Sequence, residues 1–282
     1  MTPPVSAKPY AEVIGDPIAH SKSPLIHNFW LGKLGIDAEY RVCHVRPEEL
    51  AAYFASRRQD PAWRGCNVTI PHKESIAPLI DRVDARAAAV GAVNTVWRDG
   101  DGALCGTNTD VDGVEVAVLG QLLASRSATV IGAGGAARAA FAFLAGSSCK
   151  TVRILARSLD KARRAAGECG LEAEVLPFEV GSGALAGADL LINATQLGMK
   201  GQDAMPAFVL EELSGMTPGG LVFDMVYAPL ETELLKTAAR CGLRTSDGLV
   251  MLVGQAATAF AKFFGRLPFR EYDAELRGIL TS

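Results

Sequence analysis

The chain reads as an α/β protein of two domains, and three observations say so. Short apolar runs alternate with helical patterns almost from end to end, the signature of sheets with largely parallel strands. One such run, Ala128 to Ile131, feeds a glycine turn, Gly132-Ala-Gly-Gly-Ala136, that opens an alanine-rich helix. At 282 residues and 49% hydrophobic content, the chain is more typical of two domains than of one.

In order along the chain, the apolar alternation predicts strands at Tyr10–Gly15, Ala38–Val45 and Arg64–Ile70. Helical patterns lie between them at Ser23–Leu34 and Pro47–Arg58. Asp99-Gly-Asp-Gly102 is turn chemistry between two short strands, which predicts an antiparallel hairpin. A helix over Val111–Leu123 leads into the second half, where strands are expected at 128–132, 151–156, 188–193 and 221–225, with another near Arg244. The last pattern, Leu249–Phe264, is apolar on nearly every face, and a helix of that kind has to sit between elements. Asp247-Gly248 breaks the chain just before it. This helix is therefore expected to leave the second half and pack back on the first. One discontinuous domain then comprises 1–110 and 249–282, and the other 111–248. The Pro-rich residues 2–9 are expected to fray.

Bulk composition excludes several classes. A net charge of −3 offers no basic surplus for nucleic acid. Six cysteines are scattered without C-x-x-C spacing, so they read as small buried apolar residues in a reducing compartment. All four histidines precede residue 73 and show no H-x-x-x-H pairing, so no metal site is expected. Residues 1–9 lack the pattern of a secretory signal. The Leu249–Phe264 stretch contains Gln255 and Lys262 and is short for a membrane span. A soluble cytoplasmic enzyme acting on a small molecule is the expectation, without nucleic-acid or membrane partners, and with a homodimer kept open.

The glycine turn has a specific chemical meaning. Gly132, Ala133, Gly134, Gly135 and Ala136 let backbone N–H groups and a helix N-terminus approach a pyrophosphate closely. The next apolar run ends on Ala156-Arg157-Ser158, with Lys161 a helical turn on, where an NAD site would place an acid for the ribose 2′-OH. Cations there suit a 2′-phosphate, so the expected cofactor is NADP(H). Structural glycines and a solvated basic face are the plainer alternatives.

With a nucleotide assigned to the second domain, substrate falls to the first. Four polar clusters stand out there: Ser21-Lys-Ser-Pro24, Asn67-Val-Thr-Ile-Pro-His-Lys73, Ala92-Val-Asn-Thr95 and Gly106-Thr-Asn-Thr-Asp110. Asn67 and Thr69 alternate along one strand and so face one side. Hydride transfer to a carbonyl leaves an alkoxide that needs a proton. With no convincing histidine, Lys73, expected at the start of a helix, leads as the acid, and Asp110 is its natural partner. Taken alone, a solvent-facing lysine at a helix start and a helix N-cap aspartate are the favoured readings of the two. Ser21 and Ser23 likewise suit N-caps before Pro24, and Gln255 a core amide.

Taken in order, these clusters resemble the shikimate dehydrogenase family. The resemblance runs through Gly15-Asp-Pro-Ile-Ala-His-Ser-Lys-Ser-Pro24, Asn67 to Lys73, Gly91-Ala-Val-Asn-Thr95, Asn108-Thr-Asp110, Gly132 to Arg138, Asn193-Ala-Thr195, Asp224-Met-Val-Tyr227 and Asp247 to Gln255. It implies a discontinuous N-terminal substrate domain plus a Rossmann-like NADP-binding domain, with a cleft between them. The implied activity is reversible NADPH-dependent reduction of 3-dehydroshikimate to shikimate, in chorismate and aromatic amino-acid biosynthesis. It also implies roles. Lys73 and Asp110 are catalytic. Ser21 and Ser23 hold the substrate carboxylate with Tyr227 nearby, while Thr69, Asn94, Asp110 and Gln255 bond the ring hydroxyls. Gly132 to Ala136 line the pyrophosphate, Ala156, Arg157, Ser158 and Lys161 lie on the 2′-phosphate side, and Met225 and Gly248 border the nicotinamide. Two departures are visible: Ala156 replaces the family's usual Asn, and Gln196 its usual Ser. Two alternatives stand beside this reading: a quinate or dual quinate/shikimate dehydrogenase using NAD, and a non-catalytic NADP-binding sensor.

Overall fold

A computed structural model describes residues 8–118 and 126–282. Its contacts divide the chain into two units, one running to Thr109 and resuming at Gln255–Ser282, the other spanning Asp110–Gly254.

The first unit opens on β1 (Tyr10–Gly15), α1 (Ser23–Leu34), β2 (Glu39–His44), α2 (Leu50–Arg58) and β3 (Trp63–Val68). It continues through β4 (Arg82–Val83), α3 (Ala85–Val90), β5 (Thr95–Arg98) and β6 (Leu104–Thr107). The strands form one sheet in the order β2-β1-β3-β5-β6-β4. β1 is parallel to both β2 and β3, whereas β5 runs antiparallel to β3 and β6. The sheet is therefore mixed, not largely parallel. The expected hairpin supplies the reversal, its turn closed by the Asp99 N–H donating to the Ala103 carbonyl at 2.9 Å. The first turn of the predicted Pro47–Arg58 helix is a 3₁₀ turn over Pro47–Glu49. On one sheet face Ile14, Phe54, Trp63, Val68, Ile76 and Leu104 are fully or almost fully buried.

The second unit starts with α4 (Asp110–Ala117), and the remainder of the predicted 111–123 helix, from residue 119, lies outside the described residues, as do residues 1–7. Then follow β7 (Ser127–Ile131), α5 (Gly135–Ala145), β8 (Thr151–Ala156), α6 (Leu159–Glu168), β9 (Glu174–Pro177) and β10 (Leu190–Asn193). α7 (Ala207–Glu212), β11 (Leu221–Asp224), α8 (Glu233–Arg240) and β12 (Arg244–Ser246) complete the sheet. Its order is β12-β11-β10-β7-β8-β9, every pair parallel. Renumbered within the unit this is 6-5-4-1-2-3, the doubly wound order in which connections reverse beside β7. β10 and β11 are buried at every position, as strands covered by helices on both faces must be. β9 escapes prediction because Glu174-Val-Leu-Pro177 is short, half-exposed and ends in proline, as an edge strand tolerates.

α9 (Gly248–Phe264) leaves the second unit, and the change of unit falls inside it, between Gly254 and Gln255. Its last turns bury Phe260 and Phe263 against His27 of α1 and Tyr40 of β2. α10 (Asp273–Thr281) then packs on α1, the Leu280 carbonyl accepting from Lys22 Nζ at 2.5 Å. All six cysteines are free thiols; Cys66, Cys105 and Cys169 are buried, but Cys241 is exposed, against the expectation of burial. Among the described residues no helix is long and apolar enough to cross a membrane, and no cluster of three or more His, Cys, Asp or Glu could hold a metal.

Candidate functional site

In the first unit, side chains from β2, β3, the start of β5 and the segment after β6 form a buried hydrogen-bonded row. Tyr40 donates its phenol to Asn67 Oδ1 at 2.6 Å, and Ser23 bonds the same phenol. Asn67 Nδ2 donates to Thr95 Oγ1 at 3.0 Å, and that hydroxyl lies 3.1 Å from Thr109 Oγ1. Thr109 in turn donates to Gln255 Oε1 at 3.4 Å, which ties the start of the returning chain into the row. Burial above all, with Cys66 and Glu12 nearby acting in the same direction, pushes the Tyr40 phenol well above its ordinary value, so it stays a neutral donor.

Asn94 is oriented by the same row. Its side-chain oxygen accepts the Thr109 N–H at 2.7 Å and the Thr95 hydroxyl at 2.9 Å. With the carbonyl end engaged, the amide's NH₂ is the end left to meet a ligand. The Asn94 main chain accepts from Val68 N–H at 2.7 Å and donates to Thr107 O at 3.1 Å, fixing it between the ends of two strands.

Lys73 does not open a helix. Residues 71–75 form turns, and a 3₁₀ turn follows at Ala77–Leu79. Pro71 and Pro78 are the reason, since each removes a donor and disfavours helix at the residue before it. The turn is nonetheless firmly held. Lys73 O accepts from Val93 N–H at 2.8 Å, and the buried His72 ring lies 2.7 Å from the Val45 carbonyl. A half-buried lysine on a pinned turn is better positioned than one on a frayed helix end. Thr69 lies just past the end of β3, held by its N–H to Ile14 O at 3.0 Å.

Two capping expectations need correction. The N-cap position of α1 is Lys22, so Ser23 is the first helical residue and is buried; the Ser21 hydroxyl accepts the Ser23 N–H at 3.3 Å. Asp110 is the half-buried first residue of α4 rather than its cap, and belongs to the second unit. Neither His27 nor His44 competes with Lys73 as an acid. His27 is fully buried and stacked on Tyr40, its pKa pushed down to about 3 by burial. His44 is bound to Asp16 at 2.7 Å.

The second unit presents its glycine turn at the end of β7. Gly132 has φ of +105°, and a Cβ there would stand 2.7 Å from Thr195 Cγ2, so only glycine fits. A Cβ on Gly134 or Gly135 would meet nothing within 4 Å, and no side chain caps α5. The helix N-terminus and its bare backbone thus face open space, with Ala133 and Ala136 beside them, which is the cradle a pyrophosphate needs. At the end of the adjacent β8, Ala156 is buried and Arg157, Ser158 and Lys161 are exposed. Arg157 and Lys161 make no ion pair among the described residues, while Asp160 between them is taken by Arg163 at 3.0 Å. The donor set therefore suits an NADP phosphate. Beyond β11, Met225 is half-buried and Tyr227 is 43% exposed. Gly248 gives its N–H to Val226 O at 3.2 Å, and any Cβ on it would overlap the Met225 carbonyl. Gln196 is exposed, and nothing in the structure explains its departure from serine.

Sequence reasoning missed Tyr40, whose position in an ordinary strand hides its inward phenol. It also passed over Asn193 and Asp224 as individuals, although each is a polar residue ending an apolar strand, a legible signal.

Comparison with known proteins agrees with this fold. The family model for the shikimate dehydrogenase substrate binding domain matches residues 13–96, and that for shikimate / quinate 5-dehydrogenase matches residues 116–199. The shikimate dehydrogenase (NADP(+)) of Sphingopyxis alaskensis is 48% identical over 276 residues, covering 98% of either chain. The shikimate 5-dehydrogenase of Listeria monocytogenes, solved with shikimate and NAD, is 31% identical, with a TM-score of 0.88 over 97% of this chain and 96% of that one. The Thermus thermophilus enzyme, solved with NADP(H) and shikimate, is 36% identical, with a TM-score of 0.80 over 96% of this chain and 99% of that one. An α/β protein with a doubly wound nucleotide unit, a buried polar row and relatives of this closeness along nearly its whole length, the chain belongs to the shikimate dehydrogenase family.

Proposed function

We propose that the chain is an oxidoreductase catalysing reversible, NADPH-dependent reduction of 3-dehydroshikimate to shikimate, a step of aromatic amino-acid biosynthesis, in the cytoplasm. The observation that carries the reading is the buried row from Ser23 through Tyr40, Asn67 and Thr95 to Thr109 and Gln255. A ring bearing several hydroxyls needs many neutral donors and acceptors. A site that pairs them rejects analogues lacking one, because its own polar groups are then stranded.

Bound at the open N-terminus of α5, with its 2′-phosphate toward Arg157, Ser158 and Lys161, NADPH supplies the hydride. The chain supplies the rest. Lys73 gives a proton to the carbonyl oxygen as the hydride reaches the adjacent carbon, and takes it back in the reverse direction, with Asp110 as its acidic partner. Ser21 and Ser23 hold the substrate carboxylate through hydroxyl donors, and Tyr227 adds a third. Thr69, the Asn94 NH₂ and the Gln255 amide bond ring hydroxyls. Met225 and Gly248 border the nicotinamide.

Steady-state oxidation of shikimate and quinate, each with NADP and with NAD, tests the assignment. The shikimate–NADP pair should give the highest kcat/KM of the four. A highest value for quinate with NAD would replace this reading with quinate oxidation, and four null rates would leave a nucleotide-binding protein without catalysis.

A further inference from the structure

The ends of β10 and β11 carry a polar assembly that neither the glycine turn nor the phosphate-side cations require. Asn193 and Asp224 are register partners on adjacent parallel strands, and both are fully buried. The Asp224 carboxylate accepts from Asn193 Nδ2 at 2.9 Å, from the Val226 N–H at 3.0 Å and from the Thr232 hydroxyl at 2.6 Å. Thr232 also caps α8, its hydroxyl accepting the Leu235 N–H at 3.3 Å. On the other side, Asn193 Oδ1 accepts the Thr195 N–H at 3.1 Å and its hydroxyl at 2.6 Å, and Thr195 Oγ1 accepts the Leu197 N–H at 3.1 Å.

A strand end that only had to be buried would carry an apolar residue, because a buried carboxylate is costly even when bonded. Burial pushes the Asp224 carboxyl above its usual range despite its three donors. What those donors have in common is location. They join the segment after β10, residues 194–197, to the segment after β11, residues 225–232. The first segment reaches the glycine of the nucleotide turn and the second the glycine that opens α9. Thr195 occupies the space beside Gly132, and Val226 and Met225 lie on Gly248. This is also the carboxyl end of the sheet beside β7, where the strand order reverses and a doubly wound fold binds its ligand.

We propose that Asp224 is a positioning residue for the reacting end of the nicotinamide cofactor. Its carboxylate fixes which backbone groups Met225 and Val226 present and, through Asn193, locks the 194–197 turn against the glycine loop. Thr232 is its second anchor. The inference rests on the cofactor reading of the glycine turn.

The test is NADPH binding followed by nucleotide fluorescence on the full-length chain without substrate, together with KM and kcat and a melting temperature for each variant. Thr232→Ala should weaken NADPH about 5-fold, roughly one lost hydrogen bond, with Thr232→Ser restoring it. Asp224→Ala should weaken it by about 10-fold or more. Asp224→Asn, which can still accept from Val226 and donate to Thr232, should stay within about 3-fold of wild type. The shikimate KM should change by less than about 2-fold in each, which a general loss of structure would not produce. Folded Thr232→Ala protein with unchanged NADPH affinity would overturn the proposal even if Asp224→Ala does not fold, as would a matching rise in shikimate KM. If wild-type protein itself fails to bind NADPH, the cofactor reading fails, and the wild-type titration reveals that separately.

Discussion

At the residue scale the chemistry turns on a few side chains whose roles are separable by kinetics. Lys73→Ala removes proton transfer while leaving the buried row intact, so kcat should fall by about 10² or more with KM nearly unchanged. Steady-state rates for the variant check this, and turnover near wild type would remove Lys73 from the mechanism. Arg157→Ala should narrow the preference for NADP over NAD by about one to two orders of magnitude, the worth of a charge-assisted phosphate contact. The ratio of kcat/KM with the two cofactors reads it. Ala156 offers no polar group beside Arg157, so under the proposed cofactor placement Lys161 and Ser158 supply the remaining contacts. An unchanged ratio would mean that the phosphate is held elsewhere.

Elements matter through where they end. Thr69 and Lys73 follow the end of β3, while Asn94 lies just before β5, and each is held by backbone bonds to a segment distant in sequence. Asn94 is pinned by Val68 and Thr107, and Lys73 by Val93. In the proposed mechanism Lys73 therefore acts from a turn whose backbone is pinned by Val93. On the cofactor side, α9 can begin beside Met225 only because Gly248 has no side chain. Gly248→Ala should therefore force the two backbones apart, lowering the melting temperature and weakening NADPH binding together. Calorimetry and nucleotide titration of one preparation decide the matter, and a variant as stable as wild type would show that the close approach is dispensable.

For the whole molecule, acid sensitivity follows from a group with no part in catalysis. His27 is buried neutral between Tyr40, Trp30, Phe260 and Phe263, with its pKa lowered from 6.5 to about 3. The unfolded chain binds a proton at this ring from pH 6.5 downward, whereas the folded chain does so only near pH 3. Its contribution to stability is thus fully present above pH 6.5 and is lost progressively as pH falls from there to about 3. The slope is about 1.4 kcal/mol per pH unit for one such group. Replacing His27 by Phe should flatten the pH dependence of the melting temperature in this window. An identical slope in the variant would assign acid lability to other groups.

The sequence alone determined the α/β class, the glycine turn, the missing acid after β8 and most strand positions, because each rests on local patterns of apolar period, turn chemistry and backbone freedom. α1 and β8 match the expected bounds residue for residue, and the Asp99–Gly102 turn makes the expected antiparallel pair. What local pattern could not carry was decided by tertiary structure. Two prolines made a turn of the expected helix at Lys73, the mixed strand order of the first sheet came from pairing partners far apart in sequence, and edge strand β9 had too little buried surface to show a period. The phenol of Tyr40 and the carboxylate of Asp224 gained their meaning in the same way. A polar group inside a core is defined by the partners that fold around it, and those partners lie 27 and 31 residues away.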